Sequence, residues 1–95
     1  MAALNTTISC PQGEATKISD GAVANARVVS QQGFWLLATA ADSAPTSYAG
    51  GVPMLAHSIL AADLDLADLF PGVTGPYYLW AWPTAGNVDV SISHA

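Results

Sequence analysis

The chain has 95 residues, of which 52% are hydrophobic and only 9% are charged, whereas a typical globular domain has about 25% charged residues. Its two basic and seven acidic residues give a net charge of −5, which argues against binding to nucleic acid or to an anionic membrane surface, because both require clustered cations. We expect one domain spanning residues 1–95. So few charges also predict that part of its surface is covered in an assembly.

The single cysteine, Cys10, excludes an internal disulfide and leaves no thiolate set for a structural zinc ion. A buried thiol is the simplest expectation. The N-terminal sequence lacks a basic segment followed by an apolar one, so no secretory signal is predicted. The uncharged stretches 43–62 and 69–88 contain internal Pro and Gly, which argues against a transmembrane helix.

Short runs of alternating or apolar residues, separated by turn residues, predict four strands in the first half of the chain. The segment 34–40 is apolar on both of its faces and therefore predicts a strand in the interior of a sheet, although a buried helix has a similar pattern. The four predicted strands are Leu4–Cys10, 14–19, 24–31 and 34–40.

The segment 42–53 combines Ser, Pro, Thr, Tyr and a Gly pair, and predicts a long contact loop. A further strand is expected over residues 54–59. Another is expected to continue to about Leu66, where a helical turn to Phe70 follows because Leu66, Leu69 and Phe70 have helical spacing.

The segment 77–93 predicts a β-hairpin. Its first arm, residues 77–82, is aromatic and apolar on both faces, and its return arm alternates, with Val88, Val90 and Ile92 expected to point inward. Pro83 and Gly86 are expected in the connection. The elements together predict an all-β fold, a small antiparallel β-sandwich (jelly-roll-like or a partly open barrel) of seven or eight short strands with at most one helical turn.

Polar residues that could form a site are few. Asp63, Asp65 and Asp68 form the one carboxylate cluster, which is typical of an acidic solvent face, with a calcium site as the alternative. His57 and His94 lack a nucleophile and an acid at triad spacing, so no enzyme and no cofactor are predicted. We expect His57 in a strand at an interface and His94 at a mobile chain end.

The three Trp and three Tyr residues are concentrated in the predicted strands and in the long loop. Most are expected in the core or in a subunit interface, but aromatic rings also form platforms for sugars or peptides. Tyr48, in the Gly- and Pro-rich loop, is expected to be the most exposed. Lys17 and Arg27 are expected to form ion pairs with Glu14, Asp20 or a carboxylate of a partner.

The order of these elements resembles small β-sandwich virion proteins of tailed bacteriophages and related gene-transfer particles. The resemblance covers most of the chain but consists of strand and turn patterns, so it implies no catalytic residues. The segments that carry it are 15–19, 26–31, 33–37, 51–54, 79–82 and 88–91.

The resemblance implies a capsid decoration (cement) protein or the base of a head fibre, often a homotrimer, on the outer capsid surface of a virion made in the host cytoplasm. Its partners would be the major capsid protein and copies of itself. A receptor- or glycan-binding module of a head fibre or tail is the alternative. We expect the subunit or capsid contacts at Arg27, as a polar anchor, and at four aromatic residues, Trp35, Tyr48, Trp80 and Trp82.

Overall fold

A computed structural model of the chain describes residues 3–19, 21–61 and 63–95. In these residues eight strands and one helical turn follow each other along the chain. They are β1 (Leu4–Cys10), β2 (Thr16–Lys17), β3 (Arg27–Ser30), β4 (Phe34–Thr39), β5 (Val52–Met54), β6 (Ile59–Leu60), α1 (Leu66–Leu69), β7 (Tyr78–Trp82) and β8 (Val88–His94). In the described residues, no helix is long and apolar enough to span a bilayer.

The strands form two antiparallel four-stranded sheets that pack face to face. The first sheet has the order β1-β8-β3-β6, and the second has the order β2-β7-β4-β5. Only β4 and β5 are consecutive strands that pair with each other; every other connection crosses between the sheets. This is the strand order of an eight-stranded jelly roll. The predicted small antiparallel β-sandwich is confirmed, and α1 is the predicted helical turn.

Strict alternation along the strands builds the core between the sheets. On β8, Val88, Val90 and Ile92 are buried, whereas Asp89 faces outward, as predicted. The second sheet contributes Leu36 and Leu79, which are fully buried in the same cluster. Because alternate residues of each strand point into the sandwich, the residues between them point outward and form the two outer surfaces of the protein.

The predicted β-hairpin over residues 77–93 is wrong, because its two arms lie in different sheets. β7 pairs with β2 and β4, and β8 pairs with β1 and β3, so neither arm has a free edge for the other. The connection 83–87 crosses between the sheets, a distance of about 10 Å. It is tied to the first turn of the chain, where the Gly13 N–H donates to the Pro83 carbonyl at 2.8 Å.

Several other strand boundaries differ from the prediction. The segment 54–59 is not one strand. β5 ends at Met54, and a turn precedes β6, in which the Ser58 N–H donates a hydrogen bond to the Leu55 carbonyl. The strand predicted to reach Leu66 ends at Leu60. β2 has only two residues: beyond Lys17 the Leu79 N–H donates to the Ser19 hydroxyl instead of to a backbone carbonyl, and the ladder ends there.

Cys10 ends β1 as a buried free thiol, as expected. Burial raises the pKa of this thiol from 9.0 to about 11; the negative charge of Asp89 acts in the same direction, and a hydrogen bond with the Thr16 side chain opposes them. The thiol of the folded protein therefore stays protonated up to a higher pH than the thiol of the unfolded chain.

This shift predicts a loss of stability above pH 9. Between pH 9 and 11 the unfolded thiol ionises while the folded thiol stays protonated, so the unfolded state holds fewer protons and the free energy of unfolding falls as pH rises. Urea titrations at several pH values check this. Cys10→Val should have a smaller decrease over the same range; an identical pH dependence in both proteins would contradict the prediction.

Candidate functional site

The outer surface of the second sheet carries the largest group of aromatic side chains, and we call it the aromatic face. On β4, the Trp35 side chain points to the opposite face of the sheet from its neighbour Leu36, which lies in the core. On β7, Trp80 and Trp82 likewise point away from the core, to which Leu79 belongs. Trp35 and Trp82 are direct cross-strand partners. Two central strands thus present their indole rings on the side of the sheet away from the core.

The long loop between β4 and β5 adds Tyr48 to the aromatic face. The Tyr48 ring stacks on Trp35, with centroids 5.1 Å apart and planes inclined by 20°, and meets Trp82 edge-on at 6.1 Å. Such pairs contribute about 0.5–1.5 kcal/mol each beyond their burial. Tyr48 remains 44% exposed, so the three rings form a rigid cluster that is still accessible to a partner.

Gly51 allows this loop to lie close to the sheet. A Cβ atom at this position would stand 3.0 Å from both the Leu37 side chain and the Tyr48 carbonyl oxygen, and the second of these is backbone that cannot rotate away. The close approach buries Leu37, although it faces away from the core. A side chain at position 51 would press on the Tyr48 carbonyl, so glycine here favours the position of Tyr48 on the aromatic face.

Trp80 has a structural role on the aromatic face. It is only 6% exposed, and its Nε1–H donates to the Thr39 hydroxyl at 2.8 Å. Beside it, Lys17 on β2 pairs with Asp42 of the loop at 3.0 Å, so that the ion pair spans β7. Asp42, and not the predicted Glu14, is thus the partner of Lys17; Asp20, also predicted, lies outside the described residues.

The structure brings together four of the five predicted contact residues. Trp35, Tyr48, Trp80 and Trp82 share the aromatic face, whereas Arg27 lies on the outer surface of the first sheet, on the other side of the sandwich. There its Nη1 donates to the Ser91 hydroxyl at 3.1 Å. Arg27 therefore cannot anchor the same partner surface as the aromatic residues.

The carboxylate cluster does not gather metal ligands. Asp63, Asp65 and Asp68 are exposed in the segment before and within α1. In residues 3–19, 21–61 and 63–95, no three His, Cys, Asp or Glu side chains lie close enough to share a metal ion.

Both histidines differ from their predicted settings. His94 is the last residue of β8, pairs with Leu4 and is buried, so it is not a mobile end. His57 is not in a strand: it lies exposed in the turn between β5 and β6, with a backbone φ of 65°. Sequence patterns missed this turn because the apolar run 52–60 has no Gly or Asn at position 57.

Replacing His57 by glycine is expected to stabilise the fold. A residue with a Cβ atom in the left-handed region costs about 1–2 kcal/mol, and the additional chain entropy of glycine offsets about 0.5–1 kcal/mol of that. His57→Gly should therefore raise the free energy of unfolding by about 0.5–1 kcal/mol, as measured by urea denaturation. A destabilised variant would show that the His57 side chain makes favourable contacts that outweigh the strain.

Two exposed apolar residues were not recognised from the sequence. Leu55 is 72% exposed in the turn before β6, and Ile59 is 65% exposed on β6, opposite Val29 of β3. The sequence predicts one strand over 54–59, in which alternate apolar residues would be buried. Their exposure becomes visible only once the turn at 55–58 is known.

Comparisons of the chain with models of known protein families, with curated proteins and with solved structures find no match.

Proposed function

We propose that this protein is a capsid decoration (cement) subunit, which binds the outer surface of an assembled phage head and stabilises it. It would be made in the host cytoplasm and would contact the major capsid protein. The proposal rests on the resemblance of its strand order to small virion proteins and, above all, on one structural observation: the accessible aromatic cluster of Trp35, Tyr48 and Trp82 on a sheet surface. No catalytic role is proposed.

An aromatic sheet surface with little unpaired charge suits a permanent protein contact. Exposed apolar patches mark interaction sites, and Trp and Tyr are enriched among the residues that contribute most to interfaces. The nearest charges, Lys17 and Asp42, neutralise each other, so a partner meets little unpaired charge there. Burial of apolar area stabilises the contact by about 25 cal/mol per Å² before association costs.

The jelly-roll topology is compatible with this function but does not decide it. Double-sheet jelly rolls occur in viral capsid proteins and also in lectin domains, and one fold serves many functions. The choice therefore depends on the aromatic face and on the low charge of the chain, 9% of its residues.

We also propose that the subunit associates with copies of itself as a homotrimer. β1 is an edge strand of seven residues without Lys, Pro or any charged side chain, and natural proteins protect such edges or pair them. A three-fold ring requires that β1 meet a different surface of the next copy, because a β1-to-β1 contact gives a two-fold dimer. Light scattering at several concentrations distinguishes the two assemblies, and a monomer throughout would contradict both.

A receptor- or glycan-binding module of a head fibre or tail is the second candidate. It is favoured by the exposure of Tyr48, whose ring packs on Trp35 and against the edge of Trp82, as in an aromatic ligand platform. In this case the partner would be a sugar or a host surface instead of the capsid shell.

The copy number in purified particles tests the proposed function against this alternative. Quantitative mass spectrometry of gradient-purified particles gives the ratio of this chain to the major capsid protein. A cement subunit should be present in a fixed ratio and in many copies. A few copies per particle would support the fibre or tail module, and absence from particles would contradict both.

A further inference from the structure

A groove of about 420 Å³ lies on the outer surface of the first sheet, on the side of the sandwich away from the aromatic face. Its volume lies within the usual range of small-molecule sites, about 300–1,000 Å³. Four separate segments line it: β1, β3 with the residues that follow it, the turn before β6, and β8. We call it the polar groove. Its lining residues include Val29, Gln31, Gln32, His57, Asp89 and Ser91.

Hydrogen bonds from one buried residue hold the walls of the polar groove in place. The Ser30 hydroxyl donates to the Asp89 carbonyl at 2.8 Å and accepts from the Gln32 N–H at 3.2 Å. The Ser30 carbonyl accepts from the His57 N–H at 2.9 Å. β3, β8 and the turn before β6 are thus fixed relative to one another, and a site held in this way loses little entropy when a ligand binds.

His57 lines the polar groove in a backbone conformation that costs stability. Its φ of 65° is in the left-handed region, which side chains with a Cβ atom rarely adopt. The side chain is exposed, so core packing does not account for a histidine at a position that suits glycine. Strained residues of this kind are concentrated at ligand sites, which indicates that the imidazole is kept for a contact in the groove.

The polar atoms of the groove suit a ligand with several hydroxyl groups. Ser9 donates to Oδ1 of Asp89 at 2.9 Å, while Oδ2 accepts no hydrogen bond from the described residues and can accept from a ligand. Ser91 accepts from Arg27, which leaves its own hydroxyl hydrogen available to donate. The side-chain amides of Gln31 and Gln32 make no hydrogen bond within the described residues, and each offers both a donor and an acceptor.

The charge and apolar content of the groove narrow the ligand class further. The groove is lined by a carboxylate, and the guanidinium of Arg27 beside it is already engaged by Ser91. The chain also has a net charge of −5, so an anionic ligand such as a phosphate or an acidic sugar is disfavoured. Val29 adds one apolar side chain among the polar ones. A neutral hexose has this combination of hydroxyl groups and a small apolar face.

We propose that the polar groove binds one neutral hexose unit of a glycan. Asp89, Gln31 and Gln32 hydrogen-bond its hydroxyl groups, and Val29 and His57 contact its apolar face. The site does not depend on the proposed capsid function. It lies opposite the aromatic face, so a subunit bound to a particle through that face leaves the groove open to solvent.

The test is a titration of the ¹⁵N-labelled chain, followed by NMR, with the methyl glycosides of glucose, galactose, mannose and N-acetylglucosamine. Each glycoside is raised to about 20 mM, well above a millimolar Kd. At least one of them should shift the amide signals of Gln31, Gln32 and His57 in a saturable way. The indole N–H signals of Trp35 and Trp82 should stay unchanged.

Two variants test the assignment of the residues. Asp89→Asn should weaken binding about tenfold or more, because it removes a charged acceptor. His57→Gly should weaken it as well, and this variant is expected to fold. Asp42→Asn, on the other side of the sandwich, is the matched control and should bind as the wild type does.

Three results would overturn the proposal: no glycoside shifts the groove signals, the shifts centre on the indoles of the aromatic face, or both groove variants bind with unchanged affinity. The second result would instead place sugar binding at Tyr48 and would support the alternative function. A wild-type chain that binds a glycoside but does not bind particles would overturn the capsid function alone.

Discussion

Replacing both Trp35 and Trp82 by serine is expected to abolish binding of the subunit to its particle. Interface tryptophans in well-packed clusters each contribute about 2 kcal/mol or more, so the double variant should bind about 1,000-fold more weakly. It also removes both partners of Tyr48, and the loop then loses the contacts that hold it on the aromatic face. Co-sedimentation of the purified chain with particles that lack it measures the effect.

The fold of this double variant should survive, because both indoles project from the outer surface of the second sheet and neither belongs to the core cluster. The matched control is Ile59→Ser, which removes an exposed apolar side chain from the opposite sheet and should leave particle binding unchanged. Far-UV circular dichroism checks the fold of each variant. Wild-type binding by a folded double variant would show that the aromatic face is not the contact surface.

Replacing Leu79 by alanine is expected to destabilise the fold by about 3 kcal/mol. Leu79, the second residue of β7, is fully buried, and a Leu→Ala change in a core costs about 2.7–5.0 kcal/mol through lost transfer energy and the remaining cavity. Its backbone also joins β7 to the end of β2, through the Leu79 N–H to Ser19 Oγ at 3.0 Å and the Ile18 N–H to the Leu79 carbonyl at 2.9 Å.

Tryptophan fluorescence during urea denaturation measures this loss. Leu55→Ala provides the matched control, because Leu55 is 72% exposed and a surface substitution changes stability by about 0.5 kcal/mol or less. For a domain of this size the loss is a large part of the total free energy of unfolding, about 5–15 kcal/mol. Equal effects of the two substitutions would contradict the position of the core described here.

The aromatic face could be predicted only in part from the sequence. Alternation along β7 correctly places Trp80 and Trp82 on one side of the strand, because the side-chain period of a strand is two. The contact of Tyr48 with Trp35 and Trp82 depends on how a long loop folds back over the sheet, which local patterns do not encode. The same holds for Arg27. Alternation predicts that its side chain points outward, but it does not predict to which of the two sheets its strand belongs.

Strand pairing could not be predicted from the sequence, and the hairpin predicted over residues 77–93 shows why. A run of apolar residues, a Pro- and Gly-containing connection and an alternating run fit a hairpin and a sheet-crossing connection equally well. The difference is made by β2 and β4, which occupy both edges of β7 and lie far from it in sequence. The polar groove was equally invisible, because its lining comes from four distant segments.

The two outer surfaces of the sandwich have different chemistry. The second sheet presents aromatic rings and a neutralised ion pair, whereas the first presents Thr, Ser and Asp side chains on β1 and β8 and the polar groove. A subunit attached through one surface and exposed through the other is consistent with both proposals made here.

A cryo-electron microscopy reconstruction of the intact particle tests the capsid proposal most directly. The account predicts jelly-roll density at regular positions on the outer shell, with Trp35, Tyr48 and Trp82 against the capsid and Asp89 facing solvent. A shell without such density, or a bound subunit whose aromatic face points to solvent, would contradict it.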